Sequence, residues 1–510
     1  AKAIPFSLDM TLEKAVQISP QLHEMVNTDP AVAQLIETSM TLEGMPRHAS
    51  THAAGVLITA KPVTEYVPLQ VNDEVVTTQF PMGTLEHLGL LKMDFLGLRT
   101  LTVIRDALDL MRQVGVEMRA EDIPMDDPEV YRMISAGDTD GVFQLESGGM
   151  RLFLQNMKPA CFEDIIAAIS LYRPGPMESI PRYIAGKHDP DSVRYPTPLL
   201  KPILDVTYGC MVYQEQVMQI VRDLAGYSLG RSDLVRRAMS KKKKDVMAKE
   251  RACFVHGVTD EAGHVTVEGC VRRGVPEAVA EQLFDDMTAF ASYAFNKSHA
   301  AAYGVVAVQT AWLKKHYPVQ FMAAIMNSVM DNSGKVAGYI QYCRSRSIPV
   351  LPPDVNQSGW KFTVGRDEAG TPGIRFGMGA VKNVGYGAVE AIVQARAGKP
   401  FTDFFDFVDR VPAEAINKRV AESLIKAGAF DFGQYNRAQL LSVYERAIDD
   451  AAQHRKDSLS GQVSLFDMMG GLNRPAHAAV PDMPEHSRKA LLNMEKEMTG
   501  VYICGHRSEE

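Results

Sequence analysis

The chain has 510 residues, of which 46% are hydrophobic and 23% charged, and this composition argues against global disorder and predicts three or four packed units. It contains no apolar run of about 18 residues, so no membrane span is expected, and its first residues lack the basic and apolar regions of a signal peptide. Six scattered cysteines are typical of free thiols in a reducing cytoplasm rather than of a disulfide framework or a zinc site.

The net charge of −8 conceals one strongly basic segment. Residues 231–251 hold nine Lys or Arg and three acidic residues, so this stretch carries +6 and the rest of the chain −14. A concentrated basic block in an acidic chain predicts a local site for a polyanion. A solvated helix face is the alternative explanation.

The predicted elements begin with helices and change to strands. Apolar residues three and four apart predict helices within the first 45 residues, with breaks before Pro20 and Pro30. The short runs HAAGVLITA, YVPLQV, EVVTTQF and LLKMDFLGL then predict strands. Helices dominate from residue 100 to about 318.

Beyond the Pro352-Pro353 pair, the pattern changes again. KFTV and GIRFGMG predict a small β element, which leads into two compact helical hairpins that end near Ala452. After about Met468 the chain is rich in Gly, Pro, His and Ala, which predicts a linker.

A candidate metal ligand lies in the segment LLKMDFLGLRT. On a strand, Leu91, Met93 and Phe95 share one face, and Lys92 and Asp94 share the other. A carboxylate that projects from an apolar strand needs a cation, and Mg²⁺ prefers carboxylate and phosphate oxygens. Asp94 is therefore either a metal ligand or a strand-end residue paired with a neighbour. One carboxylate cannot hold two metal ions by itself.

The basic block contains a predicted helix, GRSDLVRRAMSKKKKDVM. Ser232 is its expected N-cap, and Asp233 lies in its first turn. Arg236 and Arg237 follow on the same helix. Guanidinium groups suit phosphate oxygens because they donate bidentate hydrogen bonds.

A second polar group occurs in SYAFNKSHAAAYGVVAVQTAWLKKHYP. Lys297, Ser298 and His299 precede a long helix of small residues. This arrangement predicts a surface that a ligand approaches closely. A helix-capping cluster explains it nearly as well.

The segment VKNVGYGAVEAIV predicts a helix-hairpin-helix element. Gly385 and Gly387 flank a tight turn between an apolar approach, which contains Lys382, and a helix. Backbone amides at such a helix N-terminus can bind a DNA phosphate without reading the base sequence. The segment LIKAGAFD, around Gly428, repeats the pattern imperfectly.

A short peptide motif, QVSLF, follows the second hairpin. Gln462 offers one polar contact, and Leu465 and Phe466 offer two apolar anchors. An exposed Leu-Phe pair in a mobile segment is unfavourable unless it docks somewhere. The motif therefore predicts binding to a partner or, alternatively, an anchor back onto its own domain.

Taken together, these segments resemble the bacterial DNA polymerase III alpha subunit family, the C-family replicative polymerases, over essentially the whole chain. The matching blocks occur in the order of the family: RHASTHAAGV, LLKMDFLGLRTL, TDGVFQLES, LYRPGPM, VYQEQVM, LVRRAMSKK, FNKSHAAAY and LPPDVN. So many blocks in one order make a chance resemblance negligible.

The resemblance implies an α+β, multidomain and mainly helical fold. Its expected parts are a thumb over residues 1–45, a second part of the palm with a mixed β-sheet over 46–100, helical fingers over 101–355, a helix-hairpin-helix and clamp-binding region over 356–470, and a linker toward an OB domain over 471–510.

The resemblance also implies a reaction, which is template-directed addition of deoxynucleotides to a primer 3′-OH with two Mg²⁺ ions. The expected partners are primer–template DNA, deoxynucleoside triphosphates, a sliding clamp and other replicase subunits, without a membrane. The implied roles are metal binding and catalysis for Asp94, nucleotide binding for Arg236, Arg237, Lys297 and His299, DNA binding for Lys382, Gly385 and Gly387, and clamp binding for Gln462, Leu465 and Phe466.

The chain also departs from the pattern of the family. The other two palm aspartates and a phosphoesterase-like domain would lie upstream, so the chain alone is expected to be inactive. The run EKEMTGVYICGH resembles the approach to an OB domain and favours the DnaE type over the PolC type. An error-prone alpha-like polymerase and a non-catalytic DNA-binding scaffold remain as alternative functions.

Overall fold

The computed structural model describes residues 2–5, 10–45, 50–72, 74–173, 175–240, 244–260, 262–291, 294–459 and 479–505. The chain divides into two compact units, Ala1–Leu98 and Arg99–Glu510. Helices predominate and the sheets are few and small, which confirms the mainly helical character predicted from the sequence. Within the described ranges, no helix combines the length and the apolar character that crossing a membrane requires.

The first unit begins with three short helices and continues with paired strands. Its elements are α1 (Leu12–Ile18), α2 (Pro20–Thr28), α3 (Pro30–Leu42), β1 (Gly55–Ile58), β2 (Leu69–Asn72), β3 (Val75–Thr78), α4 (Met82–His87) and β4 (Leu91–Asp94). The side chains of Ser19 and Asp29 cap α2 and α3, and a proline occupies the first position of each helix. The predicted helix breaks before Pro20 and Pro30 are confirmed.

The strands of the first unit pair as two separate antiparallel ladders. β1 pairs with β4, with Gly55 opposite Asp94 and Ile58 opposite Leu91, and β2 pairs with β3. The prediction of a mixed sheet for residues 46–100 is therefore corrected, because no described strand of this unit has a parallel neighbour. The turn between β2 and β3 is too short for anything but antiparallel pairing, since parallel strands need a long crossover.

The second unit holds the other helices and strands of the described residues. Its helices are α5 (Arg99–Gln113), α6 (Pro128–Ser135), α7 (Gly148–Met157), α8 (Phe162–Leu171), α9 (Ile180–His188), α10 (Lys201–Leu204), α11 (Gln214–Ala225), α12 (Leu229–Ser240), α13 (Lys244–His256), α14 (Glu277–Ala291), α15 (Lys297–His316), α16 (Pro318–Ser328), α17 (Ser333–Ser345), α18 (Tyr386–Arg396), α19 (Phe404–Arg410), α20 (Lys418–Lys426), α21 (Arg437–Leu459) and α22 (Arg488–Thr499).

Two small sheets accompany these helices. The strands are β5 (Val258–Thr259), β6 (Val265–Val267), β7 (Val350–Leu351), β8 (Thr363–Arg366) and β9 (Pro372–Arg375). β5 pairs with β6 in antiparallel fashion, and β9 lies between β7, to which it is parallel, and β8, to which it is antiparallel. The predicted β element before the helical hairpins is confirmed, but β7 was not anticipated.

The described residues of the second unit form two hydrophobic cores. The larger core includes buried residues of α5–α8 and α15–α17 and continues into β9 and the helical hairpins, whereas the smaller core lies among α10–α14. α15 runs through the larger core, where Ala307, Val308, Ala311 and Leu313 are fully buried.

The predicted linker over residues 471–510 is corrected in its described part, 479–505. This part contains α22, which packs against α20, and Met498, Val501 and Ile503 join the larger core. The composition that predicted a linker ends before Ser487, whose side chain caps α22 by accepting a hydrogen bond from the amide of Ala490.

Candidate nucleotide site and nucleic-acid surface

The basic helix α12 begins about one turn earlier than the sequence predicted. The hydroxyl of Ser228 accepts a hydrogen bond from the amide of Arg231 at 3.3 Å, so Ser228 caps the helix. Ser232 instead donates its hydroxyl to the Ser228 carbonyl at 3.0 Å from inside the first turn. The prediction of Ser232 as N-cap is therefore wrong, because the helix already starts at Leu229.

Arg236 and Arg237 share one counter-ion, Asp233, which lies one turn before them. Arg236 donates from Nε and Nη2 to Oδ1 of Asp233 at 3.0 and 2.7 Å, and from Nη1 to Oε1 of Gln214 at 3.2 Å. Arg237 pairs with the other carboxylate oxygen at 2.8 Å. The hydrogen bond from Arg236, followed by the charges of both arginines, lowers the pKa of Asp233, so this carboxylate stays ionised.

The N-terminus of α15 has its own polar contacts. Asn296 caps the helix by accepting a hydrogen bond from the amide of His299 at 2.8 Å. The amide of Lys297 donates to the Glu215 carboxylate at 3.0 Å, and its Nζ pairs with Glu163 at 3.0 Å. Capping therefore comes from Asn296, and the side chains of Lys297 and His299 take no part in it.

Gln214, at the start of α11, connects the two groups. Its side-chain oxygen accepts from Arg236, its Nε2 donates to the Ala294 carbonyl at 3.1 Å, and its amide donates to the Phe295 carbonyl at 2.9 Å. The next residue, Glu215, accepts the hydrogen bond from the Lys297 amide. The start of α11 therefore joins α12 to the start of α15. The structure thus places the four predicted nucleotide-binding residues in two groups that share this connection, which the sequence did not indicate.

His299 also lines a cavity of about 600 Å³ with many aromatic side chains. The His299 ring lies 4.3 Å from the Tyr303 ring and 5.4 Å from the Phe295 ring, measured between centroids, and the Arg173 guanidinium lies 4.4 Å from the centre of Phe295. The lining residues are Phe143, Gln144, Glu146, Ser147, Met150, Ile169, Tyr172, Arg173, Phe295, His299 and Tyr303. The blocks TDGVFQLES, LYRPGPM and FNKSHAAAY contain most of them, but the sequence predicts a nucleotide-binding role only for His299.

Asp94 is the last residue of β4, in the first unit. Its Oδ1 lies 2.6 Å from Nζ of Lys92, and its side chain is 46% exposed. The hydrogen bond from Lys92 lowers the pKa of Asp94. The structure therefore shows the pairing with a neighbouring cation that was one of the two explanations for this carboxylate.

The described residues do not by themselves form a site for two Mg²⁺ ions. No group of three or more His, Cys, Asp and Glu side chains among them is arranged to hold a metal ion. Asp94 can supply one carboxylate, whereas a two-metal site needs a set of ligands that bridges both ions.

The predicted hairpin turn is the start of α18. Gly385 is the N-cap, with no side chain capping the helix, and Gly387 lies within the first turn rather than before the helix. A Cβ atom at either glycine would meet nothing within 4 Å, so the approach to these amides is open. Lys382 is exposed, and its amide donates to the Met498 carbonyl at 2.7 Å. Unpaired amides at an open helix N-terminus can donate hydrogen bonds to a phosphate oxygen.

Two parts of the predicted sites lie outside the described residues. These are the motif residues Gln462, Leu465 and Phe466, and residues 241–243 of the basic block.

The class of protein follows from three family models that match different parts of the chain. The model of the bacterial DNA polymerase III alpha subunit finger domain matches residues 100–262. The model described as the bacterial DNA polymerase III alpha NTPase domain matches residues 1–97. A helix-hairpin-helix motif matches residues 347–440, which agrees with the predicted hairpins.

Individual relatives extend this similarity to nearly the whole chain. DNA polymerase III subunit alpha of Thermus aquaticus is 48% identical over 520 residues, and those of Bacillus subtilis and Escherichia coli are 42% and 40% identical over 509 and 521 residues. Each alignment covers 99% of this chain but only 40–44% of the relative. The chain is therefore homologous to bacterial DNA polymerase III alpha subunits, as its motifs indicated, and spans about two fifths of the length of these relatives.

Proposed function

We propose that this chain contributes nucleotide-binding and DNA-binding surfaces to template-directed DNA synthesis by a replicative DNA polymerase. The reaction adds a deoxynucleotide to a primer 3′-OH and releases pyrophosphate. The observation that carries the proposal is the hydrogen-bonded connection from Arg236 through Gln214 to the start of α15, in a chain homologous to alpha subunits over 99% of its length.

The connected groups suit an incoming deoxynucleoside triphosphate. Arg237 is exposed and can donate two hydrogen bonds to phosphate oxygens, and Arg236 and Lys297 add positive charge close by. His299 and the aromatic cavity beside it can pack against the sugar and base. In this proposal the triphosphate lies between α12 and the start of α15.

The remaining surfaces suit DNA and protein partners. The open amides of Gly385 and Gly387, with Lys382 nearby, would contact a DNA phosphate. Gln462, Leu465 and Phe466 would bind a sliding clamp as an extended peptide. The assignment of residues 1–45 to a thumb, 46–100 to a palm and 101–355 to fingers belongs to the same proposal.

Asp94 would serve the reaction as one ligand of a metal site whose other ligands are not among the described residues. It would have to exchange Lys92 for the metal ion, because its carboxylate is paired with that lysine in the structure. We therefore expect the 510-residue chain alone not to extend a primer.

The test is single-nucleotide incorporation by a full-length alpha subunit that carries this sequence. Replacing Arg237 with Ala should lower kcat/KM by about 10- to 150-fold, because a hydrogen bond to a charged group contributes roughly 1.5–3 kcal/mol. Arg236→Ala should also raise the nucleotide requirement. Arg222→Ala is the matched control, since Arg222 is paired with an aspartate on the neighbouring helix α11. Equal effects of the substitutions at 237 and 222 would refute the site, and DNA binding without any incorporation would favour a scaffold.

A further inference from the structure

We propose that Asp233 is a positioning residue that holds Arg236 fixed and releases Arg237 to the triphosphate. The proposal rests on the proposed function, in which both arginines serve one nucleotide, and goes beyond it by giving them different roles. It also gives a role to Asp233, which the sequence indicates only as a first-turn residue of a helix.

The two arginines are bound to Asp233 very unequally. Arg236 uses three nitrogen atoms, two toward Asp233 and one toward Gln214, and its side chain is 18% exposed. Arg237 has one contact with Asp233, through Nη2, and is 64% exposed. A guanidinium group held from two directions cannot turn toward a ligand without breaking both contacts, whereas Arg237 needs to break only one.

The spacing along α12 explains why one carboxylate reaches both groups. Asp233 lies three residues before Arg236 and four before Arg237, which are the two separations that bring side chains together on one helix face. Each arginine takes a different oxygen of the carboxylate, Oδ1 for Arg236 and Oδ2 for Arg237. One oxygen can therefore lose its partner while the other keeps it.

The exchange has a small free-energy cost at Arg237. Breaking the partly exposed ion pair between Arg237 and Asp233 lowers the binding constant for a triphosphate by up to about fivefold. The phosphate oxygens then replace this ion pair with stronger charge-assisted hydrogen bonds to Arg237. After the exchange, Asp233 still accepts two hydrogen bonds from Arg236. That arginine then presents a fixed charge, still tied through Gln214 to the start of α15.

The first experiment measures binding of inorganic tripolyphosphate to the 510-residue chain by calorimetry. Asp233→Asn should tighten binding about threefold to fivefold, because the competing negative charge on Arg237 is removed. Asp223→Asn is the control, since Asp223 pairs with an arginine of α11, the adjacent Arg222, outside the proposed site, and it should leave the affinity unchanged. Asp233→Glu restores the charge and should return the affinity toward that of the native chain.

The outcomes separate this proposal from the function on which it rests. Unchanged or weaker binding of tripolyphosphate by the Asp233→Asn variant would overturn the proposal. A variant that differed from the native chain in its melting temperature alone would overturn it as well. If Arg237→Ala bound tripolyphosphate as well as the native chain, the nucleotide site itself would be misplaced. If Arg237→Ala lost binding while Asp233→Asn left it unchanged, the exchange alone would be wrong.

The second experiment uses incorporation kinetics of a full-length alpha subunit that carries this sequence. Asp233→Asn should lower the KM for the nucleotide and also lower kcat, because Arg236 loses the contacts that orient it while Arg237 is freed. A residue that only stabilised α12 would lower kcat without tightening KM. A lower kcat with an unchanged or raised KM would therefore refute the positioning role.

Discussion

Replacing Glu495 with alanine should loosen the last described residues from α22, which carries Glu495. Glu495 is 1% exposed on α22, and its carboxylate accepts hydrogen bonds from the amides of Ile503 and Cys504. Arg344 holds the same segment by donating to the carbonyls of Tyr502 and Ile503 at 2.7 and 2.8 Å. The Glu495 carboxylate thus binds the amides of this segment, and the Arg344 guanidinium binds its carbonyls.

The expected loss follows from the two amides that Glu495→Ala leaves without an acceptor. A buried amide without a partner costs roughly 1–3 kcal/mol. Ile503 is buried and Cys504 is exposed, so the free energy of unfolding should fall by about 1–3 kcal/mol. Glu497→Ala on the same helix is the control, because Glu497 is 55% exposed and its Oε2 lies 3.7 Å from Nζ of Lys426. That substitution should cost about 0–1 kcal/mol.

Denaturant unfolding gives the free energies, and hydrogen exchange at residues 501–505 shows where protection is lost. Faster exchange confined to this segment and to α22 is the expected result for Glu495→Ala. Free energies of unfolding that agree within about 0.5 kcal/mol between the two alanine variants would refute the argument.

The contribution of Glu495 to the free energy of unfolding also depends on pH. Burial raises the pKa of Glu495 above its usual value of 4.5, although hydrogen bonds from Cys504 and the nearby arginines oppose the shift. The stability that this group contributes is fully present below about pH 4.5 and is lost as the pH rises through the raised pKa. Glu495→Gln has no ionisation to lose, so its stability relative to the native chain should improve as the pH rises over that range.

Three further predictions concern the proposed surfaces. In a full-length alpha subunit with this sequence, Asp94→Asn should abolish primer extension and leave DNA affinity nearly unchanged in a binding titration, because an amide is a poor Mg²⁺ ligand; activity within a few-fold of native would make Asp94 structural. Replacing Leu465 and Phe466 with Ala should weaken clamp binding by on the order of a hundredfold without changing the melting temperature, since burial of each anchor contributes roughly 1.5–3 kcal/mol. Lys382→Ala should lower the affinity for duplex DNA and reduce the slope of log affinity against log salt concentration by about one. An unchanged slope would show that Lys382 does not contact a DNA phosphate.

Local signals in the sequence predicted those parts of the fold that depend on neighbouring residues. The breaks before Pro20 and Pro30 were predicted because a capping side chain and a proline act within one turn. The start of α12 was predicted one turn too late because two serines could cap it. The signal that distinguishes them is Gly226, whose left-handed conformation at φ +76° ends α11 and leaves few residues before α12.

Contacts between distant residues could not be predicted in this way. Gln214 meets Arg236 across a helix-to-helix junction, and nothing in the local pattern of either residue indicates the other. The Lys92 partner of Asp94 was open to prediction, because the two share a strand face, whereas the parallel pairing of β7 with β9 was not. The burial of α22 also depends on a surface that only the folded hairpins provide.

The two hydrophobic cores of the second unit meet at the start of α11. Tyr213 belongs to the larger core and Val217 to the smaller, so the boundary passes within one turn of Gln214. Close-packed cores resist internal deformation, and a seam between them yields more easily. A tilt of one core against the other would therefore change the separation between Arg236 and Lys297 without disturbing either interior. The width of the proposed triphosphate site would then depend on the angle between the two cores.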